Sequence, residues 1–307
     1  MTTWLEWTTC PVCDGATHTP YVEFEGALRF VRCAGCGVVF KRAEVEGLQA
    51  KDLYERDYFH GRRSGRDRRF DHRARKAMRW VRDALQFIDG RRLLDVGCSL
   101  GYVIEGGKRL GLASSGVDIS SYAVKVCQER GYDAKVGTLE QLPFDDASFD
   151  VVTMKHVLEH THEPMRALAE VTRVLGPGGV VLIAVPDVGY WKGVWQRRTY
   201  RYFRPDDLGQ QHHVYYSHPS LRRLLERAGF EVVANSKGLY RPKEAARGFA
   251  HRVYEAVRAG VLGAAFGLAG TLRLRRELFV IARRRVTSAA TPATPATAAT
   301  PSAAPAH

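Results

Sequence analysis

Leu93 to Gly111 reads LLDVGCSLGYVIEGGKRLG, and Gly116-Val117-Asp118-Ile119-Ser120 follows it closely. In a doubly wound α/β sheet the first strand ends on glycine because a side chain there would block a ligand lying against the backbone. Gly97 and Gly101 supply that turn. Asp118, closing the second strand, is then placed to accept hydrogen bonds from the two hydroxyls of an adenosine ribose. Dinucleotide sites use Gly-x-Gly-x-x-Gly, whose packed glycines admit a pyrophosphate at a helix N-terminus. Here the spacing is Asp95-x-Gly97-x-x-x-Gly101 instead.

Downstream, strand and helix patterns alternate. Leu93 to Val96, a helix from Gly101, a strand to Asp118 and a helix over Tyr122 to Arg130 come first. A short strand ending near Val136, Val151 to Met154, a helix over Pro164 to Leu175 and a strand over Val180 to Val185 follow. Such alternation predicts a parallel sheet with helices on both faces, binding its ligand at the carboxyl ends of the strands. Those ends hold Gly97, Asp118, Thr138, Lys155 and His156.

Ahead of this core, Cys10-Pro-Val-Cys13 and Cys33-Ala-Gly-Cys36 have zinc-ribbon spacing. A tetrahedral Zn2+ bound by all four thiolates has no open position, which makes the metal structural. Disulfides are the competing reading, disfavoured because no apolar secretion signal follows the N-terminus. Cys98 sits in the glycine turn as a small buried residue with no chemistry assigned to it.

The 307 residues suffice for one large domain with a small appendage. No run approaches the roughly 18 apolar residues of a membrane span, so the expected compartment is the cytoplasm. The net charge of +13 invites a nucleic-acid or anionic-membrane reading. Between Arg56 and Arg92, however, Asp57, Asp67, Asp71, Asp83 and Asp89 interleave with the arginines, as on solvated helix faces.

The Asp95 to Gly101 block resembles motif I of class I SAM-dependent methyltransferases, SAM being S-adenosylmethionine, and the resemblance runs over residues 90 to 240. Gly137 to Asp150 (GTLEQLPFDDASFD) is similar to the loop beside the adenine, and Val151 to His160 (VVTMKHVLEH) to the fourth strand and its turn. Val174 to Gly179 (VLGPGG) resembles the turn before the fifth strand, and His213-Val-Tyr-Tyr-Ser217 a late motif of the family. The fold this implies is a Rossmann-like seven-stranded α/β sheet behind a small N-terminal zinc ribbon. SAM would be bound by Asp95, Gly97, Cys98, Gly101, Asp118, Ile119, Thr138, Leu139 and Lys155. Many relatives carry Asp at the position of Thr138, so the adenine contact here falls to backbone or to Glu140.

The expected organisation is a ribbon over 1–45, a helical cap over 46–89, the core over 90–242, a helical insertion and last strand over 243–286, and a disordered tail over 287–307. Residues 187–211, rich in aromatics and arginines, read as a substrate lid or as a packed basic loop. Residues 243–270 read as a helical insertion or a peripheral membrane contact. Methyl transfer to oxygen needs a base, and His156 and His213 are the candidates, as base or as substrate-orienting residues. The Asn/Asp-Pro-Pro-Tyr/Phe pattern of nucleic-acid amino methylation is missing, which favours an oxygen or carbon acceptor. Ribbon and core together resemble enzymes that O-methylate sugars, glycans or secondary metabolites. The alternative is a nucleic-acid-binding ribbon on an RNA-methylating or inactive core, with Tyr21, Phe24, Phe30 and Arg32 as its contact residues.

Overall fold

In a computed structural model of the protein, residues 4–24, 28–45, 68–190, 203, 211–235 and 277–286 are described. Strands β1 (Trp4–Glu6), β2 (His18–Phe24), β3 (Leu28–Cys33) and β4 (Val39–Val45) form an antiparallel N-terminal sheet in the order β1-β4-β3-β2. Helix α1 (Arg68–Ala84) precedes the core. The core then runs β5 (Arg92–Val96), α2 (Tyr102–Lys108), β6 (Ala113–Asp118), α3 (Ser121–Glu129), β7 (Asp133–Val136) and β8 (Phe149–Lys155). Next come a 3-10 turn (Leu158–His160), α4 (Pro164–Val174), β9 (Leu175–Pro186), β10 (Val214–Tyr215), α5 (His218–Arg227), β11 (Phe230–Asn235) and β12 (Glu277–Arg284).

Seven of these strands make one sheet in the order β11-β12-β9-β8-β5-β6-β7. Strands β5 to β9 are parallel, and β12 runs antiparallel to both neighbours. The central strands β5, β8 and β9 are buried over nearly their whole length, because helices cover both faces of a parallel sheet. At the amino ends, the Asp150 carboxylate accepts from the backbone N–H groups of Arg91 and Arg92 and pairs with the Arg92 guanidinium, stapling β5 to β8.

The seven-stranded expectation agrees with this topology, and three local expectations change. The helical cap expected over 46–89 is a helix from Arg68 among the described residues, where Phe70 and Ala74 continue the inward face of Ala77, Val81 and Ala84. The fifth strand begins at Leu175 instead of Val180: the glycine segment is a bulge, Leu175 pairing with Phe149 and Val180 with Val151. The ribbon sheet is also not confined to the N-terminal residues. β10, from the far side of the core, pairs with β4 through Val214–Phe40 and Tyr215–Val39.

The expectations for the N-terminal part of the cap, most of the lid, the 243–270 insertion and the tail lie outside the described residues. No helix among the described residues is long and apolar enough to cross a membrane.

Helix α2 lies close against α1 and the sheet because Gly106 and Gly107 present no side chains. A Cβ on Gly106 would stand 3.0 Å from the Ala74 carbonyl, and one on Gly107 would stand 2.3 Å from Ser114 Oγ and 2.5 Å from Leu93 Cδ2. Gly107→Ala should therefore destabilise the protein by about 1–3 kcal/mol through overpacking, despite the gain in helix propensity. Urea unfolding of the variant tests this, and unchanged or raised stability would contradict the packing argument.

Candidate active site

At the end of β5 the chain turns through Gly97 (φ 70°), Ser99 (φ 51°) and Gly101 (φ 84°), all left-handed. Gly97 N and Cys98 N both donate to the Val117 carbonyl, at 2.8 and 3.0 Å, so the turn folds onto the end of β6. A Cβ on Gly97 would meet Val157 Cγ2 at 2.5 Å, so this glycine is required by the turn after β8 as well as by its φ. The Asp118 carboxylate closes the arrangement, accepting from Ser99 N at 2.7 Å and Ser120 N at 2.9 Å. Burial pushes its pKa up, while the two N–H groups pull it down. Each carboxylate oxygen retains a lone-pair direction, the capacity needed for a pair of ribose hydroxyls. Ile119 follows with a side chain that is apolar and exposed, as a surface for an aromatic ring would be.

Asp95 is buried, and its carboxylate accepts from Thr153 Oγ1 at 2.6 Å across to β8. Burial drives its pKa to about 8, against the Thr153 hydrogen bond. Cys98 contributes backbone only: its thiol is buried with Ile104, Val124 and Cys127. Thr138 is exposed and bridges to Gln141, while Leu139 is buried beneath it. The Glu140 carboxylate accepts from Thr161 Oγ1 at 2.5 Å through Oε1, tying this loop to the turn after β8. Arg173 holds this loop, donating to the carbonyls of Leu142 and Phe144.

At the end of β8, Lys155 lies with its ammonium 4.2 Å from the centre of the Trp80 ring on α1, and burial lowers its pKa. His156 is left-handed (φ 54°) and donates its backbone N–H to the Ala184 carbonyl. Its Nδ1 lies 3.1 Å from Glu159 Oε1 and its Nε2 3.2 Å from Glu277 Oε1. Burial opposes its charge, but the two carboxylates outweigh burial and raise its pKa to about 9. Glu277 correspondingly falls to about 2, chiefly through the His156 hydrogen bond. A cation with both ring nitrogens engaged has no lone pair for a proton, so the geometry gives His156 a positioning role in place of the base role expected of it. Glu277 was missed by sequence reasoning. It lies on β12, 121 residues away, and no local signal marks it.

His213 is different. Burial, with Lys41 and neighbouring histidines adding to it, drives its pKa well below the ordinary value, leaving a neutral imidazole. Its Nδ1 is buried and makes no hydrogen bond with the described residues. The ring packs on His162 at 3.4 Å, and His162 stacks on Trp7 of the ribbon at 3.7 Å and 7°.

Cys10, Cys13, Cys33 and Cys36 converge with every sulfur within 4.8 Å of the others, and none is in a disulfide. Each knuckle closes on a left-handed residue: Asp14 donates to the Cys10 carbonyl and Gly37 to that of Cys33. The ribbon's proposed nucleic-acid contacts are engaged internally. Phe30 is buried against Phe203 and Tyr215, Phe24 packs part-buried on the same cluster, and Arg32 donates to the Gly37 carbonyl and lies over Tyr21; the neighbouring Arg29 pairs with Glu23.

Residues 69–235 match a family described as a methyltransferase domain. The chain is 34% identical over 145 residues to a probable S-adenosylmethionine-dependent methyltransferase of Mycolicibacterium smegmatis, covering 47% of this chain and 53% of that one. It is 35% identical over 112 residues to a ubiquinone biosynthesis O-methyltransferase of Alkalilimnicola ehrlichii, covering 34% and 45%. Against a demethylmenaquinone methyltransferase of Renibacterium salmoninarum the identity is 38% over 112 residues, covering 36% and 47%. The chain thus spans about half the length of the curated relatives it matches.

The Asp95 proton yields a prediction. The folded pKa of about 8 exceeds the ordinary carboxylate value of about 3.9, so the native state holds the extra proton and stability falls as pH rises between these values. Asp95→Asn, which keeps an acceptor for Thr153, should gain on the wild type across that window and hold a constant lead above it. Thermal unfolding of both proteins against pH checks this, and a lead that does not grow with pH would contradict it.

Proposed function

The chain belongs to the methyltransferase-domain family of class I SAM-dependent enzymes, and from that premise we propose that it methylates an oxygen of a sugar, glycan or secondary metabolite. The observation that carries the reading is the Asp118 carboxylate, gripped by Ser99 N and Ser120 N beside the exposed Ile119. This set suits an adenosine: an acid for the ribose hydroxyls, an apolar face for the ring, and a turn with no side chain at Gly97. SAM, when bound, supplies an already activated methyl group. What remains for the protein is alignment and removal of the acceptor proton.

His213 is the residue for that proton, being a neutral imidazole whose Nδ1 is unsatisfied among the described residues. The His156 cation balances Glu159 and Glu277 and fixes the turn that follows β8. A second reading, a phenolic hydroxyl on a quinone precursor, is favoured by the names of the relatives in ubiquinone and menaquinone synthesis. The internal pairing of the ribbon's Arg29, Arg32 and Phe30 supports a small-molecule acceptor over a nucleic acid.

Calorimetric titration of SAM tests the cofactor half. Binding is expected in the wild type and lost in Asp118→Ala, and absence of binding to the folded wild type would overturn the enzyme reading. His213→Asn should keep SAM affinity while lowering methyl transfer about a hundredfold, measured with labelled SAM against sugar and catechol acceptors. Loss of SAM binding in that variant would count against its assignment.

The four thiols also fit a structural Zn2+, whose saturated thiolate shell would leave no position for water. Cobalt substitution should produce an intense thiolate charge-transfer band that Cys33→Ser weakens or abolishes. Its absence from the wild type would remove the metal from this reading.

A further inference from the structure

We propose that Glu159, His160 and His212 form a second metal site, binding a divalent first-row transition ion through one carboxylate and two imidazoles. The three side chains each bring a donor atom within 4.8 Å of the others. Two come from the 3-10 turn after β8 and one from the segment leading into β10.

Glu159 is the first argument. Its side chain is 0% exposed. Oε1 faces His156 Nδ1, but Oε2 is buried and accepts no hydrogen bond from the described residues. A buried carboxylate oxygen left in this state is costly, and it points to a cation.

His160 is the second. Its Nδ1 lies 2.9 Å from the Gln211 carbonyl oxygen, which can only accept, so Nδ1 carries the proton and Nε2 presents the lone pair. Metal-binding histidines are commonly fixed in this way, donating the other ring N–H to a carbonyl. That same bond ties the turn to the residue preceding His212. The His212 ring is buried, 4.7 Å from the His160 ring and nearly perpendicular to it, so the two imidazoles converge without stacking.

Two imidazole nitrogens and a carboxylate favour Zn2+, Co2+ or Fe2+ over Mg2+ or Ca2+, which select all-oxygen shells. Bonds of about 2.1 Å at tetrahedral angles place donors about 3.4 Å apart, inside the 4.8 Å within which these atoms lie. Three protein ligands leave a fourth position for water or a hydroxyl, unlike the closed four-thiolate shell. The site lies just past the carboxyl end of β8, on the side of the sheet where such folds bind ligands. The inference does not depend on which acceptor is methylated.

The test adds Co2+ to the tag-free 307-residue protein carrying a single equivalent of Zn2+, enough to fill the four thiolates alone, and follows uptake by equilibrium dialysis and visible absorption. One further equivalent is expected, with weak ligand-field absorption and no thiolate charge-transfer band. Glu159→Gln and His212→Asn should each weaken that uptake more than tenfold, while His162→Asn, a neighbouring histidine outside the set, should leave it unchanged. No further uptake by the wild type would overturn the site whatever the variants do. Uptake that is indifferent to both ligand substitutions, or that His162→Asn abolishes, would overturn it equally.

Discussion

The backbone of His213 is the joint between the ribbon and the core. Its carbonyl accepts from Lys41 N on β4, and its N–H donates to the Glu159 carbonyl in the turn after β8. One residue thus spans from the ribbon's central strand to the end of the sheet that holds the candidate site. β10 extends the link by pairing with β4, and α5 repeats it from outside, Arg223 donating to the Gly35 carbonyl and Arg227 to that of Val12 beside the cysteine knuckles. Hydrogen bonds of this kind are individually modest, near 1 kcal/mol net, but they act on one rigid strand and fix its register. Whatever orders the knuckles therefore also orders His213.

The chemistry at the end of β8 depends on charge pairing more than on any single group. His156 lies between the carboxylates of Glu159 and Glu277, and burial lowers the pKa of Lys155 beside them. Trp80 offers the Lys155 ammonium the negative face of its ring, which draws α1 into the same arrangement. The left-handed backbone of His156 is the strained element, and it is over-determined by a backbone bond to Ala184 and by two carboxylates. Partners of this kind fit a residue that shapes the site more than they fit one that exchanges protons with a substrate.

How much of this was legible in the sequence follows from distance along the chain. The Gly97, Gly101 and Asp118 constellation is local, and periodicity with turn chemistry suffices to place it. The four cysteines are legible for the same reason, since two short knuckles carry the whole pattern. The Glu277 contact was not, because the sheet brings together residues whose separation in sequence carries no signal. β10 was not, because a two-residue strand has no period to detect. The first turns of α1 were hidden by arginines that dominate their composition, although Phe70 and Ala74 keep the inward spacing. Gly97 was legible as a turn glycine, but its close approach to Val157 was invisible until the turns are folded together.

The two candidate bases show why residue type and position alone do not assign a role. Both are histidines at the carboxyl end of the sheet, yet one is held charged and the other neutral. Carboxylates flank the first, whereas burial beside Lys41 and other histidines surrounds the second. The difference is made by Glu159, three residues from His156, and by Glu277 and β4, which lie far from either histidine in sequence. The ribbon supplies part of that environment directly, through Lys41 and through Trp7 stacked on His162. Its most consequential contribution is therefore to the proton affinity and placement of a residue in the core, which gives a small four-cysteine appendage a reason to be fused to this fold.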